Sequence, residues 1–365
     1  MREYLLTLMV AAATTYLLVG LAGRLAHRVG AVPPLRDRDV HRVPIPRLGG
    51  PAMLAGIGAA FLVASELPRM RQVFERYDDA QGLLTAAVVI CLVGVIDDIW
   101  ELDPLTKLAG QVLAAALLTV QGVQFLWIPL PSGPFVLGQA QGVILTVLFV
   151  VTVMNAVNFV DGLDGLAAGV VGIGSAAFFV FAYLLSIEQS SRMNTPALVC
   201  AVLTGVCVGF LPHNVAPARI FMGDSGSMLL GLFLAAGSVV LTGHYQSADP
   251  TGATASFVPA LLPLVLPLAI VAIPILDLVM AVVRRTRAGL SPFSADQGHL
   301  HHRLIAIGHS HRRVVLILWL WSAVLSFGLV AAGLVGGWLV AVALVAAVLA
   351  AVVVTTRGAV SVRRA

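Results

Sequence analysis

The stretch GVILTVLFVVTVMNAVNFVDGLDG, residues 142–165, decides the fold. From Val143 to Met154 it is hydrocarbon broken only by Thr146 and Thr152. A helix needs about 20 mostly apolar residues to cross a bilayer's hydrocarbon. The run does not alternate, so it reads as a membrane helix and not as a barrel strand. It then changes character: Asn155, Asn158, Asp161 and Asp164 recur at every third position. Residues so spaced are neighbours on a helix surface, which predicts a polar stripe leaving the membrane. Gly162 and Gly165 permit a turn and close approach of a ligand. A capped helix junction explains one such Asn or Asp, but not four.

The same texture extends along the chain. Of 365 residues, 59% are hydrophobic and only 11% charged, which excludes a soluble domain. Eleven spans are predicted, at 3–23, 49–65, 82–97, 105–122, 140–157, 165–186, 197–212, 226–242, 259–283, 314–333 and 336–356. The expected fold class is an all-α polytopic integral membrane protein, one membrane-embedded domain over residues 1–365. The first run, Tyr4 to Gly23, precedes Arg24, Arg28, Arg36 and Arg38 and reads as a retained anchor. Residues 123–139 break the helical pattern around Pro131-Ser132-Gly133-Pro134, predicting an extracytoplasmic β-hairpin with Phe125 and Trp127 at the lipid interface. Cys91, Cys200 and Cys207 fall inside apolar runs, as buried small hydrophobes rather than a disulfide framework.

Basic residues set the orientation. With the N-terminus outside, the loops 24–48, 98–104, 158–164, 213–225 and 284–313 and the C-terminal tail share one face. That face carries 17 of the 22 Lys and Arg residues, counting Lys107 with its adjacent loop. The excess places it in the cytoplasm, in a multi-pass protein of the cell membrane whose C-terminus is inside. The membrane surface accounts for the basic balance, so nucleic acid is not an expected partner.

Five aspartates, Asp97, Asp98, Asp161, Asp164 and Asp224, end up on this cytoplasmic face. A carboxylate at a membrane helix centre costs roughly 2.5–3.5 kcal/mol on insertion scales, so such residues are functional candidates by default. Asp97 and Asp98 end the third span about 100° apart around the helix, so one can coordinate while the other orients. Asp224 and Ser225, before the eighth span, can cap that helix or offer its N-terminus to an anion. His299, His301, His302 and Arg303 suit a diphosphate better than zinc, which lacks a matching ligand set. Lys107 reads as a topogenic charge or a phosphate contact. Asp277 reads as a structural partner of nearby Arg284 and Arg285 rather than a catalyst, and His309 and His311 read as solvated interfacial residues. His41, Arg42, Pro44, Pro46, Arg47, Gly49 and Gly50 make a rigid basic loop. Acids for Mg²⁺ beside cations for phosphate oxygens are what phosphoryl transfer needs.

Five motifs, in this order, resemble those of the polyprenyl-phosphate N-acetylhexosamine-1-phosphate transferases. They are His41-x-x-Pro44-x-Pro46-Arg47-x-Gly49-Gly50, Asp97-Asp98, Asn155-x-x-Asn158-x-x-Asp161-Gly162-x-Asp164-Gly165, Phe221-Met222-Gly223-Asp224-x-Gly226-Ser227 and His299-x-His301-His302-Arg303. The resemblance implies Mg²⁺-dependent transfer (Mn²⁺ being the alternative ion) of GlcNAc-1-phosphate from UDP-GlcNAc to a polyprenyl phosphate, undecaprenyl or decaprenyl. UMP is released and a cell-envelope glycan begun. It implies Asp97, Asp98 and Asp224 as catalytic residues and Asp224 and Asn158 as metal ligands. Lys107, Asn155, Asp161, Asp164, His299, His301, His302 and Arg303 are implied in substrate binding, and a homodimer is a further expectation. The arginine after the histidines resembles the UDP-GlcNAc branch more than the phospho-MurNAc-pentapeptide branch, which is the alternative. An ion-coupled transporter is the alternative of another class, but its site would lie near the bilayer midplane.

Overall fold

The computed structural model of the chain describes residues 1–32, 43–76, 79–188, 194–247, 257–270 and 308–356, with a few isolated positions between 272 and 305. His41, Arg42, Asp277, Arg284, Arg285, His299, His301, His302 and Arg303 lie outside the described residues. In chain order the helices are α1 (Arg2–Val29), α2 (Gly49–Glu66), α3 (Arg71–Arg76), α4 (Asp79–Trp100) and α5 (Pro104–Val120). There follow α6 (Gln139–Val160), α7 (Leu166–Glu188), α8 (Thr195–Asn214), α9 (Gly223–Ser247) and α10 (Phe257–Ile270). The last two are α11 (His311–Leu334) and α12 (Gly337–Thr356). Among the described residues, nine helices are long and apolar enough to span a membrane. Two shorter apolar helices, Pro104–Val120 and Ala260–Ile270, fall in the remaining predicted spans. The protein is an all-α polytopic membrane protein.

Local chemistry sets several helix ends. Asp103 accepts from the backbone N–H of Leu105 at 3.0 Å and of Thr106 at 3.1 Å, with Pro104 opening α5. The Thr106 hydroxyl also donates to Asp103, and these bonds hold that carboxyl below the usual carboxylate range. Asn194 caps α8 by accepting from Ala197 at 2.9 Å. Tyr4 accepts at its hydroxyl from the Asn194 N–H at 3.0 Å, which ties the start of α1 to the same end of the bundle.

Packing is built around α9. Helix α9 is almost wholly enclosed by protein and α12 almost wholly exposed, so α9 is the axis and α12 lies on the rim. Helices α2, α4, α6, α8 and α10 all pack on α9. Phe233 of α9 meets Phe61 of α2 edge-on, with ring centroids 6.2 Å apart. The three cysteines are free and buried.

The predicted hairpin forms as β1 (Trp127–Leu130) and β2 (Gly133–Val136), antiparallel, with Trp127 opposite Val136. Its aromatics correct the expectation of a lipid-interface position. Phe125 and Trp127 are both buried. The Phe125 N–H donates to Thr146 at 2.9 Å, and its ring packs on Phe149 at 5.3 Å. His309 likewise departs from the solvated position expected for it. It is buried, and its Nε2 lies 2.9 Å from the Thr355 carbonyl oxygen near the end of α12.

Candidate active site

Four helices deliver the site. The last turn of α4 carries Asp97 and Asp98, and the first turn of α5 carries Lys107. The last turn of α6 carries Asn158, and the first turn of α9 carries Asp224. These ends meet because the intervening segments are stitched together. The Arg47 N–H donates to the Ala31 carbonyl at 2.9 Å, and the Phe221 N–H to the Pro46 carbonyl at 2.9 Å. The Gly49 and Gly50 N–H groups donate to the carbonyls of Phe221 and Met222, each at 3.1 Å. Residues 46–50 thus lie alongside 221–222 and fix the entry to α9, which gives the Pro-Arg-x-Gly-Gly stretch a structural reason beyond charge.

Asp97 and Asp98 divide their work. Asp97 is buried; it accepts from the Leu102 N–H at 2.8 Å and pairs with Lys107 Nζ at 2.9 Å. Glu101, with φ +50°, bends the chain so that Leu102 can reach back to it. Lys107 also contacts Asp224, so one ammonium lies between two carboxylates from different helices. Asp98 turns instead to the start of α9. It accepts from the Asp224 N–H at 2.8 Å, the Ser225 N–H at 3.1 Å and the Ser225 hydroxyl at 2.8 Å. The α9 N-terminus is therefore capped by a carboxylate from α4, and not by its own Asp224 or Ser225 as the sequence suggests. Those N–H groups are not presented to a free anion. Close approach makes this possible: a Cβ on Gly94 would collide with the Ser225 backbone, and one on Gly223, at φ +69°, would strike the Asp98 carboxylate.

The polar stripe is only half helical. Helix α6 ends at Val160, and Asp161 and Asp164 lie in the turn that follows. Asn158 donates to Asp224 and, at 2.8 Å, to Ser227. The Asn155 amide, expected to touch substrate, is engaged by Gln111 at 2.7 Å and by the Val151 carbonyl at 2.8 Å. Asp164 is buried and accepts from the Ala218 N–H at 2.9 Å, holding the segment before α9. Asn214 ties the same junction, accepting from Gly165 at 3.0 Å and donating to the Ile220 carbonyl at 2.9 Å. Asp161 is half-buried. Its carboxyl is pushed well above the ordinary carboxylate range, first by burial and then by the neighbouring charges of Asp224 and Asp98.

Gln111 and Asn214 were not singled out from sequence. An isolated Gln or Asn in an apolar run carries no pattern. The one signal that could have found Gln111 is its place one helical turn from Lys107 in a span otherwise poor in polar groups. Among the described residues, no three of His, Cys, Asp and Glu converge as a metal-binding group.

At one end of this helical membrane bundle, carboxylates, an amide and an ammonium are gathered from four helices. The profile of glycosyl transferase family 4 matches residues 80–242, which include Asp97, Lys107, Asn158 and Asp224. The chain is 46% identical to the decaprenyl-phosphate N-acetylglucosaminephosphotransferase of Mycobacterium tuberculosis (strain ATCC 25618 / H37Rv), over 91% of this chain and 83% of that protein. It is 45% identical to the protein of that name from Mycobacterium leprae (strain TN), over 90% of this chain and 83% of the relative. It is also 30% identical to a probable undecaprenyl-phosphate N-acetylglucosaminyl 1-phosphate transferase of Bacillus subtilis (strain 168), over 87% and 81% of the two. The chain belongs to this family of membrane sugar-phosphate transferases and is an enzyme, a phosphotransferase.

Proposed function

We propose that the protein transfers GlcNAc-1-phosphate from UDP-GlcNAc to a polyprenyl phosphate at the cytoplasmic face of the cell membrane, forming polyprenyl-diphosphate-GlcNAc and UMP. The observation that carries this is the convergence of Asp97, Lys107, Asn158 and Asp224 from four helix ends. An oxygen of the lipid phosphate attacks the β-phosphorus of the donor. The bond between that phosphorus and the bridging oxygen breaks, and UMP departs with the electron pair. Both reactants are anions, and their repulsion is strong at the low effective dielectric of a membrane face. Lys107 screens it directly. An ionised phosphate needs little base assistance, and Asp97 would take a residual proton.

The donor set fits Mg²⁺. Lys107 already rests between Asp97 and Asp224, so a cation is accommodated where the two carboxylates meet. Carboxylate and amide oxygens suit this hard ion, which keeps several waters and needs few protein ligands. Asp224 and Asn158 would hold it, with Asp97 beside them, and Mn²⁺ would fit the same oxygens. When bound, the ion supplies neutralisation of phosphate charge. Asp98 acts through Asp224, whose backbone it holds. Asp161 faces the nucleotide, while Asp164 supports the loop. His299, His301, His302 and Arg303 bind the diphosphate and sugar. The mycobacterial relatives favour decaprenyl phosphate as acceptor, and the product starts a cell-envelope glycan. The basic excess of the loops at this end supports a cytoplasmic site with the N-terminus outside.

The test is direct. Purified protein is incubated with Mg²⁺, decaprenyl phosphate and either UDP-GlcNAc or UDP-MurNAc-pentapeptide, and UMP is measured. UMP with the first donor is expected; UMP with the second alone overturns the sugar assignment. No UMP with either donor overturns the transferase reaction.

A further inference from the structure

One helical turn beneath the site lies a second polar contact. The Gln111 side-chain oxygen accepts from the Asn155 amide at 2.7 Å. The Gln111 amide donates back to the Asn155 oxygen at 3.3 Å and to the Met228 sulfur at 3.2 Å. The remaining Asn155 donor goes to the Val151 carbonyl at 2.8 Å. All four amide hydrogens are thereby used, and Gln111 is 1% exposed, so the pair has no donor left for a ligand.

Its position gives it meaning. Gln111 follows Lys107 by four residues on α5, Asn155 precedes Asn158 by three on α6, and Met228 follows Asp224 by four on α9. Residues three or four apart share a helix face. Each helix that contributes Lys107, Asn158 or Asp224 therefore contributes one member of the contact a turn deeper. Apolar packing alone lets helices slide and rotate, since lipid and neighbouring helix are equally apolar. A fully satisfied amide pair has one geometry and leaves unpaired amides if the helices shift by even part of a turn.

We infer that Gln111 and Asn155 form an amide clasp that sets the axial register of α5, α6 and α9, and so the separation of Lys107, Asn158 and Asp224. They are positioning residues. The inference rests on the proposed transfer reaction, and it makes Asn155 a support of the site rather than a substrate contact.

The test compares wild type, Gln111→Met, Asn155→Leu and the double variant by UMP release under saturating and limiting UDP-GlcNAc, with thermal unfolding of each in detergent. Misplacing catalytic groups by about 1 Å costs on the order of 100-fold. Each single variant is expected to lower kcat roughly 10- to 100-fold with the KM for donor changed less than about threefold. The double variant should be no worse than either single, because the clasp is already open. Gln111→Asn, which keeps an amide but shortens it, is the second variant should Gln111→Met not fold, and a loss of kcat is expected there too. Unchanged kcat in Gln111→Met or Gln111→Asn overturns the inference, as do additive losses in the double variant. A rise in donor KM for Asn155→Leu with kcat intact would make Asn155 a substrate contact and overturns it too. Wild type without UMP release removes the transfer reaction itself, and the register role with it.

Discussion

Asp98→Asn is the sharpest perturbation of the site, because it changes one atom of a side chain that reaches Asp224 only through the Asp224 backbone. The carboxylate takes three bonds: Asp224 N–H on one oxygen, Ser225 N–H and Ser225 hydroxyl on the other. An amide can keep its oxygen at the Ser225 pair, but its NH₂ then faces the Asp224 N–H, donor against donor. One hydrogen bond to a charged group, about 1.5–3 kcal/mol, is lost, and a backbone donor is orphaned. The favourable charge at a helix N-terminus goes as well, for roughly another 0.3–1 kcal/mol. The sum is about 2–4 kcal/mol at the residue proposed to hold the cation. If most of it appears in the transition state, kcat falls on the order of 30- to 1,000-fold, at about 1.4 kcal/mol per tenfold. The assay is UMP release by purified protein at saturating lipid phosphate and UDP-GlcNAc, beside thermal unfolding. A kcat within threefold of wild type would refute the capping role, and so would a loss carried wholly by the KM for lipid phosphate, which would put Asp98 on substrate instead.

Asp224→Asn is expected to abolish UMP release while the protein stays folded and monodisperse; full activity with Mg²⁺ would take Asp224 out of the cation site. Lys107→Gln leaves Asp97 and Asp224 without their shared cation, and breaking such a partly buried pair costs up to about 3–5 kcal/mol. Its unfolding temperature should drop, and Mg²⁺ should raise it by more than it raises wild type; equal Mg²⁺ responses would argue that the ion binds elsewhere. Gly94→Ala drives a methyl into the Ser225 backbone. Overpacking of this kind costs typically 1–3 kcal/mol, so lower yield and lower activity together are expected, and wild-type behaviour in both would contradict the close α4–α9 approach. His301→Ala should raise the KM for UDP-GlcNAc more than tenfold without altering lipid-phosphate saturation.

The span pattern could be read before any coordinates because the bilayer leaves few choices. Backbone groups in hydrocarbon must pair internally, so long apolar runs become helices, and the hairpin declared itself by its Pro and Gly residues. The predicted spans and the helices agree to within a few residues at most ends, as at 105–122 against Pro104–Val120. The acidic motifs, too, were legible, since carboxylates in apolar chain are costly and need a reason. Sequence alone could not assign their tasks. Asp97 and Asp98 are chemically identical neighbours, and only the packing of α4 on α9 turns one to Lys107 and the other to the α9 N-terminus. Phe125 and Trp127 looked interfacial because aromatic residues favour that depth, but the fold buries both, Phe125 against Thr146 and Phe149 of α6. Gln111 was silent because a lone amide has no spacing to betray it. Its meaning comes from Asn155 and Met228, 44 and 117 positions away along the chain, which only the tertiary structure brings within hydrogen-bonding distance. Chain chemistry thus determined which segments cross the membrane and which groups demand a function, while helix packing decided which of those groups meet.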